Sequence, residues 1–155
     1  MSSYVALKTL HIVSSTILFG TGLGIAFFKW SIDRSGNITA IRVVSERVVL
    51  ADWLFTTPAV IIQAVTGIAL ANLLGFPLSQ GWVMQAIALY CLAGACWIPV
   101  VVLQIRMREL ARAADRDGAA LSQQYWRYAR IWFWLGMPAF AAVLLVFWLM
   151  VTKPS

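Results

Sequence analysis

From Trp53 to Ile105 the chain runs for fifty-three residues without an Asp, Glu, Lys or Arg. Such a run has no place in a water-soluble domain, where roughly a quarter of residues are charged; here only 12% are, and 61% are apolar. The run also exceeds one membrane crossing, which takes about 20 residues. Its interruption, Asn72-Leu73-Leu74-Gly75-Phe76-Pro77-Leu78-Ser79-Gln80-Gly81, is rich in turn-forming residues and predicts two spans joined by a tight hairpin. Thr9–Phe28 and Ile131–Thr152 are likewise uncharged and long enough for one span each. Ser122, ahead of Gln123 and Gln124, stands where it would cap the last helix. The expectation is an all-α, integral-membrane four-helix bundle, one transmembrane domain over 1–155 with spans at approximately 5–29, 50–73, 82–105 and 130–152. The first apolar stretch lacks a basic leader and a small-x-small cleavage site, so it reads as a helix rather than a signal peptide.

The twelve Lys and Arg exceed the six Asp and Glu by six. Ten of the twelve fall in two places: Lys29, Arg34, Arg42 and Arg47 after the first span, and Arg106, Arg108, Arg112, Arg116, Arg127 and Arg130 between the third and fourth. The hairpin between spans two and three has none. By the positive-inside rule, segments 30–49 and 106–129 are cytoplasmic loops, and the hairpin and both termini lie on the outer side. Charge divided between two loops, without a recognition motif, excludes a nucleic-acid partner. The partners expected are the lipid bilayer and either further copies of the chain, through small-residue faces, or a larger membrane complex. Cys91 and Cys96, five apart and about 140° around a helix, are excluded as a disulfide and read as small buried hydrophobes.

Asp33-Arg34-Ser35-Gly36 and Asp115-Arg116-Asp117-Gly118 each precede a helix carrying Pro-Ala, at Pro58-Ala59 and Pro138-Ala139. This weak repeat is what two tandem helical hairpins of the same orientation would produce, and also what short turns favouring Asp and Gly would produce.

Few residues within the spans carry chemistry. His11 is the only histidine and lies inside the first span, with Ser14 and Ser15 on the polar stripe of its helix. A neutral imidazole is a good axial ligand for haem iron, and a porphyrin fits between the helices of a bundle. His11 is therefore the candidate metal ligand, with Ser14, Ser15 and Gly22 along its face as cofactor-binding residues and a b-type haem as the cofactor. The second axial ligand would be a methionine, a lysine or His11 of another subunit. The competing reading is a structural histidine hydrogen-bonded to a neighbouring carbonyl or to Ser14 or Ser15. Gln63, Thr66, Gln85 and Gln104 read as hydrogen-bond partners between helices. Asp52 reads as an acidic residue at the start of span two, paired with Arg42 or Arg47.

Pro58, Pro99 and Pro138 lie at nearly one depth, and each frees a carbonyl four residues earlier, at Leu54, Ala95 and Trp134. With Thr56 and Thr57 as the nearest hydroxyls, Trp97 among the aromatic residues, and Gly20 and Gly24 at the spacing of a close helix contact, this layer predicts a cavity towards the cytosolic leaflet. Its walls would suit a porphyrin, quinone or lipid.

Further residues carry a resemblance. The stretch from Tyr4 to Phe28, with Leu-Lys-Thr-Leu-His11-Ile at its start and Phe19-Gly20-Thr21-Gly22-Leu23-Gly24 near its end, resembles an uncharacterised family of bacterial integral-membrane proteins, the domain of unknown function 2269. Asp52-Trp53-Leu54-Phe55-Thr56-Thr57-Pro58-Ala59, Gly94-Ala95-Cys96-Trp97 and Pro138-Ala139 are similar to the same family. More distantly, Leu10-His11-Ile12 resembles the first helix of copper-resistance D-type proteins and of J-type protoporphyrinogen oxidases. That resemblance implies a role for His11 in haem or porphyrin handling. Two functions are thus expected in competition: a haem- or porphyrin-binding redox or tetrapyrrole-handling protein using His11, or a non-catalytic lipid- or quinone-binding or assembly subunit.

Overall fold

The computed structural model describes residues 2–154. Helix α1 spans Ser2–Asp33, α2 Ile38–Ala51, α3 Thr57–Leu73, α4 Gly81–Arg116 and α5 Gln123–Thr152. A single π-helical turn, Asp52–Thr56, joins α2 to α3, so the chain forms four rods, each long and apolar enough to cross a membrane. The all-α membrane bundle expected from the charge-free runs is the observed fold. The segments expected as basic loops are mostly helical: only short stretches around 34–37 and 117–122 interrupt the rods there, and a third break at 74–80 forms the hairpin.

Local chemistry ends each rod. Gly36, Gly75 and Gly118 all hold positive φ (68°, 74° and 60°), the left-handed conformation that glycine adopts without steric cost. At the hairpin, Phe76 N–H reaches back to the Ala71 carbonyl at 2.9 Å, closing α3. The two Asp-Arg-x-Gly segments share the left-handed glycine, while only the second closes its helix with a backbone return, from Ala119 N–H to the Ala114 carbonyl. Asn37 and Ser122 cap the helices that follow, their side chains accepting from Ala40 N–H and Tyr125 N–H, so the Ser122 cap is borne out.

The π turn has a cause in Pro58. Proline offers no N–H to the Leu54 carbonyl and its ring crowds that position. The backbone widens by one residue ahead of it, so that Thr57 N–H bonds the Asp52 carbonyl five residues back, and the Thr57 hydroxyl donates to the same oxygen at 2.9 Å. Helices α4 and α5 continue through Pro99 and Pro138.

Four pairs of helices approach closely: α1 with α3, α1 with α2, α4 with α5, and α2 with α4. Close approaches between α1 and α5, and between α3 and α4, are sparse. The molecule is two helical hairpins joined at the end that carries the basic residues. There Ile41, Met107, Ala111 and Tyr125 are fully enclosed and form the main apolar core with Val100, Leu103 and Trp132. Within the spans the arrangement is inverted relative to a soluble protein. Large apolar side chains such as Leu54, Ile98, Trp134 and Trp148 face outwards, while Ser14, Asp52, Thr56, Gln63, Thr66 and Gln104 are buried, as expected where hydrocarbon is the solvent. Cys91 is on the exposed side, contrary to expectation; it and Cys96 are free thiols.

Candidate functional site

Two polar clusters lie within the spans, and they differ in one respect. The first is the seam between α1 and α3. His11 Nδ1 is 2.8 Å from Thr66 Oγ1 and its Nε2 is 3.1 Å from Gln63 Nε2. The Ser14 hydroxyl lies 2.6 Å from Gln63 Oε1, and Thr66 Oγ1 lies 2.6 Å from the Ile62 carbonyl. One assignment of protons satisfies every pair. Ser14 donates to Gln63, the Gln63 amide to His11 Nε2, His11 Nδ1–H to Thr66, and Thr66 to the backbone. That chain requires a neutral imidazole carrying its proton on Nδ1. The helices approach closely because position 67 is glycine: a Cβ there would stand 3.2 Å from His11 Cε1.

Both ring nitrogens of His11 are thus engaged by α3, and in this arrangement neither is free for iron. Ser14 is committed to Gln63, and the Ser15 hydroxyl donates to the Ile12 carbonyl at 2.8 Å. Gly22 lies elsewhere, at the cavity described next. The residues expected to form one cofactor face are therefore divided between a helix seam and a separate cavity. Among the described residues, no group of three or more His, Cys, Asp or Glu is placed to hold a metal ion.

The second cluster lines a cavity of about 290 Å³ between the two hairpins, bounded by α1, the π turn with α3, α4 and α5. Most of its wall is apolar, including Phe19, Val100, Phe140 and Val143. Six side chains in that wall carry a polar group: Asp52, Thr56, Tyr90, Trp97, Gln104 and Trp132. Among the described residues, the buried side-chain polar atoms without a hydrogen-bond partner are Asp52 Oδ2, Thr56 Oγ1, Trp97 Nε1, Gln104 Oε1 and Trp132 Nε1, and every one of them belongs to this cavity. Asp52, Thr56, Gln104 and Trp132 are 4%, 4%, 3% and 8% exposed, so water outside the protein does not serve them. Thr56, Gln104 and Trp97 neighbour the Asp52 carboxyl. The π turn sets both Asp52 and Thr56 on the cavity side.

The cavity has a mouth. The exposed residues of its lining, Gly22, Leu23, Ala26, Phe133 and Met137, belong to α1 and α5 alone. Phe19 stacks on Phe140 with ring centroids 5.0 Å apart, bridging the two helices on the hairpin side of this gap. Towards the basic end the bridge is polar. Lys29 Nζ, 1% exposed, meets Asp33 Oδ1 and Oδ2 at 2.5 and 2.7 Å and also the Tyr125 hydroxyl, which donates to Asp33 at 2.6 Å. Farther out, Asp115 accepts from Arg42 at 2.6 Å and Thr39 at 2.5 Å, and Glu46 from Arg112 at 2.8 Å, holding α2 against α4. The Thr39 hydroxyl, followed by the Arg42 guanidinium, keeps the Asp115 carboxyl below the ordinary carboxylate value, and Arg112 does the same for Glu46.

Of the residues expected at a cavity, Thr56 and Trp97 line it. Gly20, Gly24, Thr57, Pro58, Pro99 and Pro138 do not: Gly20, Pro58 and Pro138 are exposed, and no atom stands within 4 Å of a Cβ built on Gly20 or Gly24. Pro58 acts instead through the π turn it induces. Asp52 pairs with neither Arg42 nor Arg47; it sits fifteen residues into a continuous rod, inside the bundle. Gln63 and Thr66 do join helices, whereas Gln104 faces the cavity and Gln85 is exposed. The Tyr90 hydroxyl, not anticipated, donates to the Val60 carbonyl at 2.6 Å and ties α3 to α4 across the cavity's far wall. Asp52 carried the one signal that could have been read earlier, an acid bounding a long uncharged run with a hydroxyl one turn further on.

Fold and site together define a small polytopic membrane protein with an intramembrane cavity. The family described as "Predicted integral membrane protein (DUF2269)" matches residues 5–154, and the chain belongs to it. No curated protein and no solved structure matches the chain.

Proposed function

We propose that this protein binds a lipid-soluble molecule with a compact polar head inside the bilayer, as a non-catalytic lipid- or quinone-binding or assembly subunit. One observation carries the reading: among the described residues, every buried side-chain polar atom without a partner belongs to a residue that lines a single cavity. An unpartnered polar group in an apolar setting costs about 1–3 kcal/mol, and five at one place are accounted for by a ligand that bonds them. At about 290 Å³ the cavity lies at the lower end of the ~300–1,000 Å³ of small-molecule sites. It accommodates a head and the start of a tail, with the remainder leaving through the gap between α1 and α5. By the positive-inside distribution, the polar end belongs to the cytoplasmic half of a bacterial inner membrane, with both termini periplasmic. A tetrapyrrole function would require His11 to exchange Gln63 for iron and to open its seam with α3.

The test is organic extraction of the protein purified in mild detergent, followed by mass spectrometry and an absorption spectrum, on wild type and Gly94→Leu. Gly94 lines the cavity and a Cβ there meets nothing within 4 Å, so a side chain can start from this position without a clash at its first atom and take up cavity space. The expected result is a near-stoichiometric lipophilic molecule in wild type that Gly94→Leu loses. Identical extracts would overturn the reading. A haem Soret band abolished by His11→Ala would replace it with the tetrapyrrole one.

A further inference from the structure

The cavity's chemistry narrows the ligand, granting the binding role just proposed. The lining contains no Lys or Arg, and its one ionisable acid is Asp52. A phosphate-bearing head would enter a site without a cation and beside a carboxyl, which is unfavourable in a medium of low dielectric. The same holds for the carboxylates of a porphyrin. The groups present instead match a neutral, oxygen-bearing ring. Two indole N–H groups, Trp97 on α4 and Trp132 on α5, are pure donors. Asp52 Oδ2 and Gln104 Oε1 offer acceptors, and the Thr56 hydroxyl serves either way. Phe19, Phe133 and Phe140 add aromatic surface to the wall against which a ring can pack.

We infer that the ligand is a tailed quinone or its quinol, with the indoles of Trp97 and Trp132 donating to ring oxygens, Asp52 accepting from a ring hydroxyl in the reduced form, and the hydrocarbon tail leaving between α1 and α5. The proposal concerns binding of the two forms and assigns no electron transfer to the chain.

The experiment is equilibrium titration of the full-length protein in lipid nanodiscs with a 1,4-benzoquinone carrying a ten-carbon tail, in oxidised and reduced forms, with empty nanodiscs as the partition reference. Saturable binding near one equivalent is expected. Trp97→Phe and Trp132→Phe should each weaken the oxidised form about fivefold to tenfold, the loss of one hydrogen bond. Gly94→Leu should abolish saturable binding. Trp148→Phe, an indole facing outwards, should change nothing. Asp52→Leu should weaken the quinol about tenfold more than the quinone, a split that a purely structural effect would not produce. Equal binding by wild type and Gly94→Leu is partition into lipid and overturns the assignment. Absence of quinone binding where wild type still yields another cavity-dependent lipid overturns the quinone and leaves the binding role standing. Absence of both overturns the two together.

Discussion

The α1–α3 seam and the inter-hairpin cavity are built from the same kinds of side chain in the same membrane, yet one is closed and the other open. In the seam, Ser14, Gln63, His11 and Thr66 form a chain in which each donor has an acceptor. At the cavity, Asp52, Thr56, Trp97, Gln104 and Trp132 each carry a buried polar atom without a hydrogen-bond partner. A closed network holds two helices together; an open one, held apart by its own walls, is competent to receive something else. The contrast teaches that polarity inside a membrane bundle is not itself a sign of function. What distinguishes a site is polarity left unanswered by the protein.

That comparison makes different predictions for similar substitutions. Gln63→Leu should have the largest effect, lowering stability by about 2 kcal/mol, because it strands His11 Nε2 and leaves the Ser14 hydroxyl only its 3.0 Å bond to the His11 carbonyl. Thermal unfolding in detergent with a fluorescent fusion reads this directly, and a change below about 0.5 kcal/mol, the scale of a minor surface change, would show that the seam is not a closed network. Gln104→Leu should cost far less. In protein stripped of lipophilic molecules it removes an orphaned amide oxygen together with an amide that neighbours the Asp52 carboxyl, so stability should change by no more than about 1 kcal/mol, while any stabilisation by added ligand is lost; a loss as large as that of Gln63→Leu would erase the distinction between the two clusters.

The smallest effect concerns the joint that keeps the hairpins in register. Asp115 and Glu46 titrate below their ordinary values because Thr39 with Arg42, and Arg112, bond their charged forms. A carboxyl depressed in the folded state contributes stability that is present above its unfolded value and is lost as pH falls through the folded one. Stability should therefore be level near neutrality and decline below about pH 4.5, the ordinary glutamate value. Arg42→Met should flatten part of this decline, since it removes a partner of both carboxylates. A decline of unchanged shape in that variant would place the acid sensitivity elsewhere.

Much of the fold was legible along the chain. The number of spans follows from uncharged runs interrupted by turn residues, and the caps follow from Asn37, Ser122 and the glycines at 36, 75 and 118, because capping and helix termination act over a few residues. The site was legible only in part. Thr56 and Trp97 were expected at a cavity and line it, but Gly20, Pro58 and Pro138 were expected there and face outwards, and Gly24 is absent from the lining. Position along a helix follows from residue number alone, whereas the side of it a residue takes depends on how each rod is rotated. A proline layer marks where backbone geometry changes, and the side chains exploiting that change, Asp52 and Thr56, lie on the turn before it.

By itself, then, the chain's pattern of charge and hydropathy determined an all-α protein of four membrane-length helices with its basic residues gathered at one end. Those properties are local or additive: a span needs only length and apolarity, and a cap only its neighbours. Tertiary structure alone decided that His11 is answered by Gln63 and Thr66, and that Asp52, Gln104 and the two indoles keep buried polar atoms without a hydrogen-bond partner. Each of those outcomes depends on pairing residues tens of positions apart across helices whose rotation and separation no single segment encodes. In an apolar solvent that offers no hydrogen bonds, whether a polar side chain is satisfied is settled only when the helices meet.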